Sequence, residues 1–220
     1  MFGVFNDDEF EYRLDVEDDL DSEQPRLFEM TETALKILQK CDEGFVLFVE
    51  AGHVDKAHHK GWAGKALEEV LELELAVETA LNMTDAEETL VLVTADHSHS
   101  LTINGYPRTG ADILTYDPGE MSQQVSDDKQ PHYYPSLMYS TGPGKRSADY
   151  DVSQDDSLSS KDYVHPSLVY QDSASHGGED VALFATGHNA HIFRGLIDQH
   201  QIPHYLSFLT CVGDGITLCN

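Results

Sequence analysis

The sequence predicts an α/β protein with a parallel-rich central sheet flanked by helices. Two short apolar runs with strand character, 45–49 and 90–94, are separated by a long amphipathic helical pattern over 62–81. A strand, a helix and a second strand in this order favour a right-handed crossover between parallel strands. Residues with metal-ligating side chains follow both strands, and α/β sheets place their sites beyond the carboxyl ends of strands. We therefore expect one site built from two segments.

The composition indicates a globular chain with a strong negative charge. The 220 residues are 40% hydrophobic, and no apolar run reaches the roughly 18 residues that a transmembrane helix needs. The formal net charge of -27 argues against nucleic acid or an anionic membrane surface as a partner. An anionic substrate would need strong local positive charge, which bound metal ions can supply.

The N-terminal elements precede the first strand. Residues 1–21 are acidic with alternating aromatic side chains, which suggests a strand or an ordered loop. A helix is predicted after Pro25, because apolar residues recur there at helical spacing. These residues are Leu27, Met30, Ala34, Ile37 and Leu38.

The strand over 45–49 is Phe-Val-Leu-Phe-Val, and Gly52 ends it in a polar turn. Because all five residues are apolar, we expect this strand to be buried. The helix over 62–81 is expected to turn its glutamates outward. Its inward residues are predicted to be Ala63, Ala66, Leu67, Val70, Leu73, Val77 and Leu81.

The stretch 105–175 differs from the rest of the chain. Pro, Gly, Ser, Asp and Tyr dominate it, and no regular period persists, so an irregular insertion is predicted. A regular pattern returns with a strand at 181–185 and with helices near 191–199 and 204–212. We therefore divide the chain into an α/β part, 1–104 with 176–220, and the insertion 105–175.

Several residue pairs have the chemistry of metal ligands. Asp55 and His59 are four apart and would share a helical face, although surface pairs with this spacing are common. Asp96 and His97 are adjacent, so both can reach a metal only where the strand bends. Glu50, at the end of an apolar strand, would need a cation or a basic partner if buried.

Three ordered motifs resemble the metal-binding segments of the alkaline phosphatase family. They are FVLFVEAGHVDKAHH from residue 45, LVLVTADHSH from residue 90 and HGGEDVALFATG from residue 176. The resemblance covers nearly the whole chain and implies an alkaline-phosphatase-like fold. It also makes the insertion similar to the crown region of the animal enzymes.

The resemblance implies specific roles for residues of this chain. Asp55, His59 and His176 resemble the ligands of one zinc ion, and Asp96 and His97 two ligands of a second. The remaining implied roles are a magnesium ligand at Glu50, phosphate binding through water at Lys56, a calcium site at Phe5, Asn6 and Asp21, and a disulfide between Cys211 and Cys219. His58 and His99 are expected near the site. Surface or packing positions are expected for six other histidines: His132, His165, His188, His191, His200 and His204. Cys41, between a helix and a strand, is expected to be a buried thiol.

The implied activity is zinc-dependent hydrolysis of phosphate monoesters through a phosphoseryl intermediate. In the family, the nucleophilic serine and the arginine that clamps phosphate belong to an N-terminal half, and no serine here has a matching context. No catalytic residue is therefore assigned, and the chain alone is expected to be inactive and to expose a sheet edge. The alternative is a non-catalytic metal-binding truncated form or pseudoenzyme. A metal hydrolase acting on diesters or sulfate esters is a third option.

The resemblance also implies an oligomeric state, glycosylation and a cellular location for the protein. Animal members are usually homodimeric, glycosylated and held at the outer face of the plasma membrane by a lipid anchor, so an extracellular location is expected. Asn82-Met83-Thr84 matches the N-glycosylation acceptor pattern. The anchor signal and the signal peptide are not found in this sequence.

Overall fold

The computed structural model describes residues 3–16, 22–116, 123–125, 131–147, 150–158 and 160–213. Its helices are α1 (Arg13–Val16), α2 (Leu27–Leu38), α3 (His53–His59), α4 (Ala63–Met83) and α5 (Ile202–Thr210). Its strands are β1 (Leu90–Thr94), β2 (Leu101–Ile103), β3 (Gln123–Val125), β4 (Pro131–Tyr133), β5 (Leu137–Gly142), β6 (Ser167–Tyr170) and β7 (Leu183–Gly187). Short 3-10 helices cover Val152–Gln154, Ala190–Ile192 and Gln199–Gln201.

The strands form three small sheets in the described residues. β1 pairs with β7 in antiparallel fashion, so that Val93 lies opposite Phe184. β5 lies between β2, which is antiparallel to it, and β6, which is parallel. β3 and β4 form a separate antiparallel pair. Among these ladders only β5 and β6 run in parallel, so the pairing expected from the first predicted crossover is not formed.

The predicted buried strand at 45–49 is the main local difference. The segment has neither helix nor strand assigned, and it joins no sheet among the described residues. Val46 and Phe48 are 77% and 87% exposed, while Phe45, Leu47 and Val49 are half-buried. The prediction of a buried strand is wrong here, because a strand also needs neighbours to cover it.

The two long predicted helices are confirmed. α2 begins after Pro25, where the Arg26 N–H donates to the Glu29 carboxylate over 2.8 Å, and α2 packs against α4. The inward face of α4 was only partly predictable: Val70 and Leu81 are exposed, whereas Glu69 and Glu72 are buried. Hydrogen bonds explain why these carboxylates are buried: the Arg26 guanidinium pairs with Glu72, and the backbone N–H of Arg13 donates to Glu69 over 2.7 Å.

Other elements differ in detail from the sequence predictions. The acidic N-terminal stretch contains the short helix α1, and the strand expected at 181–185 is displaced to β7. The helix expected near 191–199 is wrong, because two 3-10 helices replace it, and glycine at 195 has a positive φ of 73° between them. Cys41 is exposed, so its expected burial is wrong as well. Within 105–175, which was predicted to be irregular, short strands β3 to β6 are present.

Two small buried clusters lie beside the start of α4. One contains Ala63, Leu137, Tyr139 and Ala174, and the other contains Tyr12, Ala57 and Ala66. Ala57 belongs to α3, and Leu137 and Tyr139 belong to β5. The short helix α3 is therefore held against the core, close to a strand from the 105–175 stretch.

His165 gives the fold a predictable sensitivity to acid. Its side chain is 2% exposed beside Tyr163, and burial lowers its pKa from 6.5 to about 4. In the unfolded chain the His165 imidazole is protonated below about pH 6.5, whereas in the folded chain it stays neutral down to about pH 4. The free energy of unfolding is therefore highest above pH 6.5 and falls as the pH drops toward 4. In the His165→Phe variant, the free energy of unfolding should therefore depend less steeply on pH in that window, by up to about 1.4 kcal/mol per pH unit.

Urea unfolding at several pH values measures this slope. The matched control is His191→Phe, because His191 is exposed and should leave the slope unchanged. Equal slopes in the two variants between pH 4 and 6.5 would contradict the assignment to His165.

Candidate metal centre

The helix α3 brings Asp55 and His59 together. The helix begins at His53 directly after Gly52, so the two side chains lie one turn apart on the same face, as predicted. His59 Nε2 lies 3.2 Å from Asp55 Oδ2. The buried Ala57 fixes the opposite side of this turn against the core.

The backbone beyond β1 brings His176 to the same place. His99 and His176 form an isolated antiparallel bridge, and the Gly177 N–H donates to the Ser98 carbonyl over 2.9 Å. A Cβ at position 177 would collide with Ser98 Oγ and with the Glu179 carboxylate. A larger residue here would displace these two side chains, and its Cβ would lie 3.0 Å from the His99 carbonyl oxygen.

Four side chains converge in the resulting cluster: Asp55, His59, His99 and His176. One ligand-type atom of each lies within 4.8 Å of all the others. His176 Nε2 lies 3.1 Å from His59 Nε2 and 3.5 Å from Asp55 Oδ1. Zinc–ligand distances of about 2.0–2.1 Å imply tetrahedral edges of about 3.3–3.4 Å. Asp55 approaches His59 through Oδ2 and His176 through Oδ1, and the three side chains are close enough together to hold one metal ion.

Hydrogen bonds to the imidazoles distinguish their roles. His59 Nδ1 donates to the Ala174 carbonyl over 2.6 Å, which leaves the Nε2 lone pair directed into the cluster. His99 Nδ1 instead accepts from the Ser100 N–H over 3.1 Å, so its proton is on Nε2, 3.7 Å from Asp55 Oδ1. His99 Nε2 and Asp55 Oδ1 are thus neighbours but do not form a hydrogen bond, and neither atom has a hydrogen-bond partner among the described residues. Burial, with the neighbouring His58 and His59, lowers the pKa of His99 to about 4 and keeps it neutral.

An unsatisfied oxygen supports this interpretation. Asp55 Oδ1 is buried and has no hydrogen-bond partner among the described residues. A buried carboxylate oxygen without a partner is costly, because it has lost its water without compensation. A bound cation would satisfy it.

Asp96 and His97 lie beside this cluster rather than within it. They follow β1 at a bend, which lets both side chains face the same way, as the sequence required. His97 Nε2 lies 3.4 Å from Asp96 Oδ2 and 3.9 Å from Asp55 Oδ1. The His97 ring also stacks on His176 at 3.7 Å. This pair could supply two ligands to a second ion adjacent to the first.

The other predicted site residues are not brought to the cluster. Glu50 is exposed, so no burial cost demands a cation there. The Lys56 ammonium pairs with Glu9 from the N-terminal stretch. Of the expected calcium ligands, Phe5 is exposed and the Asn6 amide donates to the Glu9 carbonyl over 2.6 Å. Asp21 lies outside the described residues, as does Cys219, so the calcium site and the disulfide stay predictions.

Tyr139 is a contact of the site that the sequence did not indicate. Its hydroxyl lies 2.8 Å from His58 Nδ1, and the His58 ring lies 5.1 Å from His99. Burial lowers the pKa of His58 to about 4 and raises that of the Tyr139 phenol. No motif surrounds Tyr139, so only the fold could reveal it. Among the remaining histidines, His165 packs inside, and His188, His191, His200 and His204 are exposed, as expected.

The carboxylate and imidazoles gathered here define a candidate metal site. A model of the family described as alkaline phosphatase matches residues 1–212. Alkaline phosphatase 4 of Drosophila melanogaster is 38% identical over 97% of this chain and 37% of its own length. The tissue-nonspecific isozyme of Felis catus is 39% identical over 100% and 40%, respectively. The chain belongs to the alkaline phosphatase family.

Further comparisons concern the fold and the relation of relatives to the membrane. A TAB5 alkaline phosphatase mutant with Mg bound in the M3 site matches with a TM-score of 0.57 and 19% identity, covering 86% of this chain and 42% of that one. The predicted alkaline-phosphatase-like α/β fold is thereby confirmed. A membrane-bound alkaline phosphatase of Bombyx mori is 34% identical over 100% of this chain and 39% of its own length. Within the described residues, no helix has both the length and the hydropathy to cross a bilayer.

Proposed function

We propose that this chain carries the zinc-binding part of a zinc-dependent phosphomonoesterase. The proposed reaction is that of an alkaline phosphatase, in which phosphate monoesters are hydrolysed through a phosphoseryl intermediate. The chain spans about 40% of the length of the curated relatives that it matches. The proposed nucleophilic serine and phosphate-clamping arginine therefore belong to the part of the enzyme that these residues do not match.

The observation that carries the proposal is the geometry of Asp55, His59 and His176. One ligand-type atom of each lies within 4.8 Å of the others, and the Nε2 atoms of His59 and His176 are 3.1 Å apart, so the three side chains are close enough to surround one zinc ion. Because His99 presents a proton, the set offers three protein ligands and an open fourth position. That pattern is typical of catalytic rather than structural zinc sites. Zinc bound there would supply positive charge for the phosphate and for the leaving oxygen.

The chain's own residues would prepare this centre before substrate arrives. The Ala174 carbonyl fixes the tautomer of His59 by accepting from its Nδ1. Asp96 and His97 are assigned to a second zinc, and Glu50 to magnesium. Lys56 is assigned to phosphate, which requires that its ammonium leave Glu9 when the substrate binds.

The wider assignments follow from family membership. We assign a crown-like role to residues 105–175 and the α/β domain to the remainder. Calcium at Phe5, Asn6 and Asp21, the disulfide between Cys211 and Cys219, a homodimer, glycosylation and lipid anchorage at the cell surface belong to the same proposal. The relative named as membrane-bound supports the location.

Zinc titration of the metal-free chain tests the proposal. We expect tight binding that a chelator reverses, without hydrolysis of 4-nitrophenyl phosphate by the chain alone. Chelator-sensitive hydrolysis should appear when the chain is co-expressed with the unmatched portion of the Felis catus relative. Failure to bind zinc would refute the proposal. Zinc binding without hydrolysis even in that combination would instead favour the non-catalytic, metal-binding alternative.

A further inference from the structure

The short helix α3 depends on other parts of the chain for its orientation. It has only seven residues, from His53 to His59, and isolated helices shorter than about 12–15 residues are marginal in water. Successive residues of a helix are rotated by about 100° around its axis. The contacts of Ala57 and His58 therefore determine the direction in which the next side chain, His59, points.

One of these contacts is apolar. Ala57 is fully buried and packs with Tyr12 and Ala66. The hydrophobic effect has no directional preference, so a methyl group can stay buried while the helix rotates slightly. A directional contact is therefore needed to fix the rotation of α3.

The neighbouring His58 supplies a directional contact. Its Nδ1 lies 2.8 Å from the Tyr139 hydroxyl, and the two rings meet edge to face at 5.9 Å. Tyr139 belongs to β5 and is only 1% exposed, and its backbone N–H donates to the Pro166 carbonyl over 2.8 Å. A buried tyrosine hydroxyl usually has a hydrogen-bond partner, which His58 provides. The phenol is thus a fixed point against which α3 is held.

The core cluster that contains Tyr139 also holds His59. Ala174 belongs to this cluster together with Tyr139. The Ala174 N–H donates to the His59 carbonyl over 2.9 Å, and the Ala174 carbonyl accepts from His59 Nδ1 over 2.6 Å. The last two residues of α3 are therefore both hydrogen-bonded to one buried cluster.

We infer that Tyr139 is a positioning residue of the candidate metal centre and that it acts through His58. Its hydroxyl fixes the rotation of α3, which directs His59 Nε2 toward Asp55 and His176. Functional side chains must be held within about 0.5 Å and 10–20° of their working geometry, so even a small rotation of α3 matters. The inference rests on the proposed zinc site for its functional meaning, but the contact itself can be tested without zinc.

Three variants separate the hydrogen bond from the volume of the side chain. Tyr139→Phe removes only the hydroxyl, and His58→Leu removes its partner. His58→Asn keeps a polar atom close to the position of Nδ1, because both atoms are bonded to Cγ. If the hydrogen bond positions α3, asparagine should preserve what leucine loses. A role in packing alone predicts the reverse order, since leucine is closer to histidine in volume.

Hydrogen exchange of the metal-free chain is the first readout. We expect the amides of residues 57–62 to exchange at least about 10-fold faster in Tyr139→Phe and in His58→Leu, but at the unaltered rate in His58→Asn. Tyr163→Phe is the matched control, because Tyr163 is 5% exposed and its phenol oxygen lies 2.8 Å from the Tyr150 hydroxyl. This control also loses a buried phenol, yet exchange in α3 should not change.

Metal binding is the second readout. Co²⁺ serves as a probe beside Zn²⁺, because its visible absorption bands report the coordination geometry. Tyr139→Phe and His58→Leu should each weaken binding of both ions about 10-fold and alter the Co²⁺ bands. His58→Asn and Tyr163→Phe should leave affinity and bands unchanged. The double variant Tyr139→Phe with His58→Leu should bind as tightly as either single variant, because both changes remove the same hydrogen bond.

Two results would overturn the inference. The first is unaltered exchange of the α3 amides in Tyr139→Phe, and the second is a smaller effect of His58→Leu than of His58→Asn. Additive losses in the double variant would also contradict an action through His58. If the unaltered chain bound no zinc, the proposed function would fail, while the exchange rates would still decide whether Tyr139 holds α3.

Discussion

The Asp55→Ala variant should bind zinc at least about 100-fold more weakly than the unaltered chain. Asp55 is central to the cluster, with Oδ2 3.2 Å from His59 Nε2 and Oδ1 3.5 Å from His176 Nε2. It is also the only anionic member of that group of four. Structural zinc sites gain about 10–16 kcal/mol from about four ligands, so one ligand is worth several kcal/mol. Competition with a chromophoric chelator measures the change.

Asp42→Ala is the appropriate control for this variant. Asp42 is an exposed aspartate in the turn that follows α2, so the net charge changes equally in both variants. A loss of affinity confined to Asp55→Ala would show a local ligand effect rather than reduced attraction of cations to an acidic protein. Similar affinities in the two variants would exclude Asp55 as a ligand.

The Lys65→Met variant should lower the free energy of unfolding by about 2–4 kcal/mol. Lys65 is 3% exposed, and its Nζ lies 2.8 Å from Asp15 and 2.6 Å from Asp162. The ammonium also lies over the Trp62 ring at 4.4 Å. Removing one partner of a buried ion pair leaves the others uncompensated and costs about 3–5 kcal/mol. The effect is smaller here because both carboxylates remain partly hydrated.

Lys36→Met provides the comparison for Lys65→Met. Lys36 pairs with Glu32 one helical turn away, but its side chain is 59% exposed. Exposed pairs of this kind contribute about 0.3–0.5 kcal/mol. Urea unfolding of both variants measures the difference. If Lys65→Met unfolded at the same urea concentration as Lys36→Met, the buried network would have no special role in stability.

Local patterns in the sequence predicted the elements that depend on local interactions. Helical spacing located α2 and α4, and the apolar run located β1. The spacing of Asp55 and His59 was sufficient to place them on one helical face. Asp96 and His97 can both reach a metal ion only if the chain bends after β1, and the structure contains such a bend. The three motifs together indicated the family before any geometry was known.

Features that depend on distant residues could not be predicted. The burial of Glu72 depends on Arg13 and Arg26, which belong to another part of the chain. The exposure of Phe48 depends on which strands are available to cover it. His99 could be placed near the site, but its tautomer is set by the backbone N–H of Ser100. Sequence patterns specify periodicity and residue type, not the partners that decide burial and protonation.

The contact between Tyr139 and His58 links the 105–175 stretch to the metal cluster. β5 supplies a wall of the core beside α3, and its Tyr139 hydroxyl lies within hydrogen-bond distance of a histidine that adjoins His59. The 105–175 stretch is therefore part of the packing around α3. A substitution in β5 that displaces the Tyr139 hydroxyl would therefore remove a contact of His58 without altering any of the four cluster residues.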